Sequence, residues 1–154
     1  MDRVVIFGRG GAGKSVLARE LGVATGLPVV ELDKEFRSDE LRPLPAEDWA
    51  RCQAILAEQS RWIMDGDLGP YDYVEPRVRR ADAVVVLDMP LWLCAWRAWR
   101  RGRERRDFWD WTVRWRHHRR PRLLRAVSDL APDAEIVTLR SPRSVRRWLV
   151  AVGS

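Results

Sequence analysis

An apolar run, Val4-Val5-Ile6-Phe7, leads directly into residues 8–15, which read Gly-Arg-Gly-Gly-Ala-Gly-Lys-Ser and match G-x-x-x-x-G-K-[ST] at every fixed position. This join constrains the fold more than any other feature of the chain, because a strand that turns through glycines into a helix aims several backbone N–H groups at one point. Glycine tolerates the φ values that such a turn requires and presents no Cβ to an approaching ligand. The pattern predicts a polyphosphate cradle built from Gly8, Gly10, Gly11, Ala12, Gly13, Lys14, Ser15 and Val16. Lys14 would reach the β- and γ-phosphates, and the Ser15 hydroxyl would bind Mg²⁺.

The same stretch also satisfies G-x-G-x-x-G through Gly8, Gly10 and Gly13, and Asp33 lies 20 residues beyond Gly13, as in a dinucleotide fingerprint. Lys14 and Ser15 decide between the two readings. A dinucleotide loop has no use for an ammonium and a metal-binding hydroxyl at those positions, so a nucleoside triphosphate such as ATP is the expected ligand.

At 154 residues, with no linker-like or low-complexity stretch, the expectation is one domain over 1–154. No charged start followed by an apolar core marks a signal peptide, and no apolar run approaches membrane-spanning length. Cys52 and Cys94 lie among apolar neighbours without metal or redox spacing, which suits reduced, buried thiols and a cytoplasmic protein. Short apolar runs at 4–7, 29–32, 62–64, 84–87 and 136–139 alternate with helix-period segments at about 14–25, 46–60, 91–101, 108–128 and 142–151. The runs are almost continuously Val, Ile and Leu, as in strands covered on both faces. An α/β fold of three layers follows, with a five-stranded parallel sheet between helices. An insert at about 34–60 and a short Arg/Trp-rich helical lid at about 101–121 are the expected elaborations.

Phosphoryl transfer needs a second metal anchor, a hold on the acceptor and cations around the migrating group. Asp65 and Asp88 each end an apolar strand. In the strand order 2-3-1-4-5 usual for small kinases, the third strand lies beside the loop strand, which favours Asp65 for Mg²⁺. Asp88 is the alternative anchor and reads at least equally as a cap for the helix that begins near Pro90. Glu31 and Asp33 would point to the same side of the second strand. Asp33, at the carboxyl edge of the sheet, is the better candidate to bind or deprotonate an acceptor.

On the helix after the fourth strand, Trp92, Trp96 and Trp99 share one face, and Arg97 and Arg101 lie opposite. The Trp stripe reads first as core against the sheet and second as a membrane-surface or partner-binding stripe. Arg97 and Arg101 suit base stacking and phosphate clamping. The net charge of +6 is uneven, since residues 97–125 hold twelve arginines against Glu104, Asp107 and Asp110. The basic segment 101–125 has three readings: a lid closing over phosphates, a DNA or RNA surface, or a solvated helix with a Trp face in the core. His117 and His118 are adjacent and make no i,i+4 metal site.

With residues 8–15, Glu31-Leu32-Asp33, Trp62-Ile63-Met64-Asp65-Gly66, residues 80–90 and Arg120-Pro121-Arg122-Leu123-Leu124 taken together, the chain resembles the adenylate-kinase-related P-loop proteins called DNA topology modulation proteins. The resemblance covers nearly the whole chain. Through the wider nucleoside monophosphate kinases it implies that Asp65-Gly66 is the strand-three Asp-Gly motif, that Arg97 contacts adenine and that Arg101 contacts the phosphates. Adenylate kinases continue that motif with Phe-Pro-Arg, where this chain has Asp67, and Arg77 is the arginine placed to substitute. The expected function is transfer of the γ-phosphoryl group of Mg-ATP to a small acceptor, a nucleotide or related metabolite. Lys14, Arg97 and Arg101 would neutralise charge, Ser15 and Asp65 would hold Mg²⁺, and Asp33, Gly66 and Arg77 would form the acceptor side. The alternatives are a nucleotide-dependent DNA- or RNA-binding protein and an ATPase without an acceptor. No motif specifies the oligomeric state.

Overall fold

The computed structural model describes residues 1–35, 45–67, 72–102 and 106–154. Five parallel strands, β1 (Arg3–Gly8), β2 (Val29–Glu31), β3 (Trp62–Asp65), β4 (Ala83–Leu87) and β5 (Glu135–Leu139), pair in the order β2-β3-β1-β4-β5. Val5 stands opposite Met64 on one side and Val84 on the other, so β1 is the central strand and its carboxyl end opens in the middle of the sheet edge. The predicted α/β class, layers and strand order are all observed.

The helices are α1 (Lys14–Thr25), α2 (Leu32–Glu35), α3 (Ala46–Ala57), α4 (Glu75–Val78), α5 (Leu91–Arg101), α6 (Arg106–Arg114), α7 (Arg120–Leu130) and α8 (Pro142–Val152). Strand alternation divides the core in two. Val5, Phe7, Met64, Val84 and Val86 pack with Trp49, Trp115, Leu123 and Val127 on one face of the sheet. Val4, Ile6, Ile63, Val85 and Leu87 pack with Leu17, Ala18 and Leu21 of α1 on the other, where Val145, Trp148 and Leu149 of α8 also close in.

Helix ends follow local chemistry. Gly26, in the left-handed conformation at φ 69°, ends α1 by donating its N–H to the Gly22 carbonyl. α8 begins at a capping box in which the Ser141 hydroxyl accepts from the Ser144 N–H at 3.1 Å and the Ser144 hydroxyl accepts from the Ser141 N–H at 3.1 Å.

Two expectations are corrected. β2 stops at Glu31 and the chain coils at once into α2, so strand alternation does not place Glu31 and Asp33 together. The single helix read at 108–128 is three pieces, since a π-helical turn at Trp115–Arg119 joins α6 to α7. Of the predicted insert, residues 36–44 lie outside the described residues, as do 68–71 of the turn after Gly66 and 103–105 of the lid.

Candidate functional site

The carboxyl end of β1 delivers Gly8 to the centre of the sheet edge, and two left-handed glycines, Gly11 at φ 76° and Gly13 at φ 96°, fold the loop back into α1. The first-turn N–H groups of Lys14, Ser15 and Val16 have no acceptor within their own helix, and with the loop they form a site for oxygen anions. The Lys14 ammonium donates to the carbonyls of Gly8 at 2.9 Å and Arg9 at 3.3 Å, lying across the loop. Ala12 is buried and Val16 is half exposed on the first turn of α1.

α5 lies against this loop. A Cβ at Gly11 would come within 2.3 Å of the Cys94 carbonyl oxygen. Arg97 lies along the loop, its Nη1 donating to the Ala12 carbonyl at 3.3 Å and standing 3.5 Å from where a Gly13 Cβ would be. Arg101 is exposed, one turn further along α5.

This close approach reverses the expected orientation of the Trp stripe. Only small side chains fit between α5 and the loop, so Cys94 and Ala98 are fully buried, while Trp92 and Trp99 are 71% and 72% exposed and Trp96 is half exposed beneath the Arg100 guanidinium at 4.9 Å. The stripe is therefore not core. Trp92→Gln and Trp99→Gln are expected to change unfolding free energy by less than about 0.5 kcal/mol, as surface substitutions do. Trp115→Ala, in the core, should cost about 3–5 kcal/mol by chemical denaturation.

Asp65 ends β3 beside β1 and is 4% exposed. The Ser15 side chain and the Lys14 ammonium lie near enough to act on its charge, and Oδ1 is a buried oxygen with no hydrogen-bond partner. Burial is the main cause holding this carboxyl above the ordinary carboxylate range, and the Ser15 side chain and Lys14 charge pull it back. The folded chain thus keeps a proton that the unfolded chain has lost, so stability falls as pH rises from the ordinary carboxylate range through the raised value. Asp65→Asn should flatten that part of the thermal-stability profile measured without divalent cation; an unchanged slope would count against a buried, proton-holding Asp65.

A hydroxyl, a carboxylate with an unused oxygen and a neighbouring phosphate cradle are the donor set that Mg²⁺ takes when it keeps water and phosphate oxygens in its shell. Among the described residues no group of three or more His, Cys, Asp or Glu is placed to hold a metal by itself. Asp88 is 3% exposed and bound by three guanidiniums, Arg116 in a bidentate pair at 3.0 and 3.1 Å, Arg120 at 3.8 Å and Arg140 at 3.9 Å. It does not cap α5, whose cap position is Pro90.

On the other side of β3, Gly66 at φ 147° lets α2 approach so closely that a Cβ would lie 2.9 Å from Leu32 Cβ and 3.7 Å from Asp33 Oδ1. Asp33 and Gly66 are thereby neighbours, whereas Glu31 pairs with Lys34 at 2.8 Å. Arg77 is fully buried, donating to both oxygens of Asp72, to Gln53 Oε1 and to the Gly66 carbonyl, with its guanidinium 5.2 Å from the centre of the Phe7 ring. It reaches Gly66 from within the core.

Part of the basic segment is paired with carboxylates, most of them from elsewhere in the chain. Arg116 binds Asp88, Arg119 binds Asp67 at 3.1 Å and Asp72 at 3.3 Å, and Arg114 binds Asp110 at 3.0 Å. Trp115 Nε1 donates to Asp67 at 3.1 Å. The wide π turn brings both Trp115 and Arg119 to Asp67. Sequence reasoning gave Asp67, Asp72 and Arg9 no such part. The legible signal was charge complementarity, since acids cluster just after β3 while the facing helix is basic.

No protein-family model matches the chain, and no curated protein matches its sequence. Solved structures match its fold. A sugar kinase from Janibacter sp. is similar over 100% of this chain and 99% of its own at 24% identity, with a TM-score of 0.56. A shikimate kinase from Acinetobacter baumannii, in complex with shikimate, is similar over 99% of this chain and 90% of its own at 14% identity, with a TM-score of 0.66. A deoxyadenosine kinase from M. mycoides with bound dATP is similar over 100% of both chains at 12% identity, with a TM-score of 0.59. At these identities the likeness establishes the fold alone, the one these kinases share.

Proposed function

We propose that the chain is a phosphotransferase that moves the γ-phosphoryl group of Mg-ATP to a small acceptor, a nucleotide or related metabolite. The observation that carries this reading is Asp65 at the end of β3, paired in register with the strand that feeds the glycine loop, buried, and with one oxygen that has no hydrogen-bond partner. That the structures sharing the fold are kinases of sugars, shikimate and deoxyadenosine supports it. Within that group we place the chain beside the topology-modulation and nucleoside monophosphate kinases, on the Asp65-Gly66 and Arg97 matches.

Mg²⁺, when bound, supplies positive charge to the phosphoryl oxygens, and Ser15 and Asp65 are the residues that would hold it. The loop N–H groups fix the phosphate chain, and Lys14 exchanges its two carbonyl partners for phosphate oxygens. Arg97 lies along the loop to orient the base end, and Arg101, one turn on, contributes charge from α5. Asp33, next to Gly66, positions the acceptor and takes its proton where the attacking group is a hydroxyl. As the new bond to the γ-phosphorus forms, the bond from that phosphorus to the β,γ-bridging oxygen breaks and ADP leaves.

The test is ADP formation from Mg-ATP across a panel of sugars, hydroxy acids, nucleosides and nucleoside monophosphates. Acceptor-dependent turnover with a phosphorylated product is the expected result. ADP formation no faster with any acceptor than without would leave an ATPase and overturn the proposal.

A further inference from the structure

Between the glycine loop and the helix above it, the donors outnumber the acceptors. Arg9, the second residue of the loop, is only 2% exposed, its Nε has no hydrogen-bond partner, and its guanidinium forms no salt bridge among the described residues. The Trp115 ring lies against it, with the centroid 5.8 Å from Cζ, and Asp88 and Arg116 stand near enough to act on its charge with opposite signs but do not hydrogen-bond it. Burying a guanidinium without a hydrogen-bonded counter-charge is strongly unfavourable, so such groups are paired in nearly all folded proteins. The carboxylates at hand are already taken, Asp88 by Arg116, Arg120 and Arg140, and Asp67 by Trp115 and Arg119.

A second donor faces the same place. Thr112 is fully buried, its hydroxyl has no partner, and its oxygen is 3.0 Å from where a Cβ of Gly10 would stand. Thr112 and Trp115 are three residues apart and share a face of the helix, so Arg9 and Thr112 border one interface from its two sides. The Phe108 ring packs against Gly10 beside Thr112.

We infer that this interface is an oxyanion subsite, in which Arg9 and Thr112 receive oxygens of a phosphate or carboxylate group carried by a ligand of the loop. The inference rests on the phosphoryl-transfer reading above and deepens it. The anion is either the terminal phosphoryl group of the nucleotide or a charged group on the acceptor, and the guanidinium suits either because its planar fork matches both.

The test compares wild type, Arg9→Leu, Thr112→Val and Lys14→Ala by thermal shift and calorimetric titration in Mg²⁺. The probes are ADP, a non-hydrolysable ATP analogue, and orthophosphate added to the ADP complex. Without ligand, Arg9→Leu should melt at or above wild type, because an unpaired buried cation has been removed. One probe should nevertheless bind it about tenfold more weakly or worse, the loss expected when a charge-assisted hydrogen bond disappears. Thr112→Val should weaken the same probe and carries the test alone if Arg9→Leu does not fold. Loss of the preference for the ATP analogue over ADP assigns the subsite to the nucleotide's terminal phosphoryl group; loss of the orthophosphate increment alone assigns it to the acceptor. A destabilised Arg9→Leu that folds and binds every probe as wild type does, with Thr112→Val also unchanged, overturns the subsite. Lys14→Ala would in that case still lose nucleotide binding if the loop reading holds, and a wild-type chain that binds no nucleotide would overturn that reading instead.

Discussion

Lys14→Ala should lower acceptor-dependent kcat/KM by about 10²–10³-fold or more, the range found when one preorganised donor to a transition-state oxyanion is removed. Among the described residues the ammonium donates to the Gly8 and Arg9 carbonyls of its own loop, at 2.9 and 3.3 Å. These are interactions that water can replace at a half-buried site, so the variant should fold with near wild-type stability. The loss would then lie in function and not in folding: the phosphates lose the Lys14 charge both in the bound nucleotide and on the migrating group. Steady-state rates at saturating acceptor, with the melting temperature of the same preparation, separate the two effects. Turnover within about threefold of wild type, a loss far smaller than that range, would remove Lys14 from the mechanism.

The largest effect on stability is expected at Asp72. Its side chain and that of Arg77 are both 0% exposed, and the pair is bidentate. Removing one member of such a pair leaves the other charge buried without compensation, which typically costs about 3–5 kcal/mol. Asp72→Ala should incur that cost and also free Arg119 from one of its two carboxylates. The double variant Asp72→Ala/Arg77→Met should recover much of the loss, because an apolar side chain beside Phe7 needs no partner. Denaturant midpoints of the two variants provide the measurement, and a double variant no more stable than Asp72→Ala would show that Arg77 matters for more than its charge.

Most of the fold was legible because it depends on local pattern. Near-continuous Val, Ile and Leu marked the five strands, Gly26 and Pro45 marked helix ends, and the glycine loop fixed which strand was central. The misjudged elements were those where tertiary contact overrides pattern. The helical period correctly grouped Trp92, Trp96 and Trp99 on one face, but period alone does not say which face turns inward. That was decided by the closeness of α5 to Gly11, which only Cys94 and Ala98 permit. Asp33 was placed by strand alternation, yet its position next to Gly66 comes from the coil of α2. Pairing across distance was likewise hidden: the arginines from 114 to 120 read as a charged surface, whereas Arg116 and Arg119 reach carboxylates 28 and 52 residues away in sequence.

The unequal burial of the nine tryptophans makes the chain its own optical reporter. Indoles at 92, 96 and 99 emit in water and are open to a soluble quencher such as iodide, while those at 49, 62 and 115 are shielded. Quenching the first set leaves a spectrum weighted toward the interior, in which Trp115 is packed against the Arg9 guanidinium. A change in that remaining emission on adding a ligand would register events at the glycine loop with no label attached.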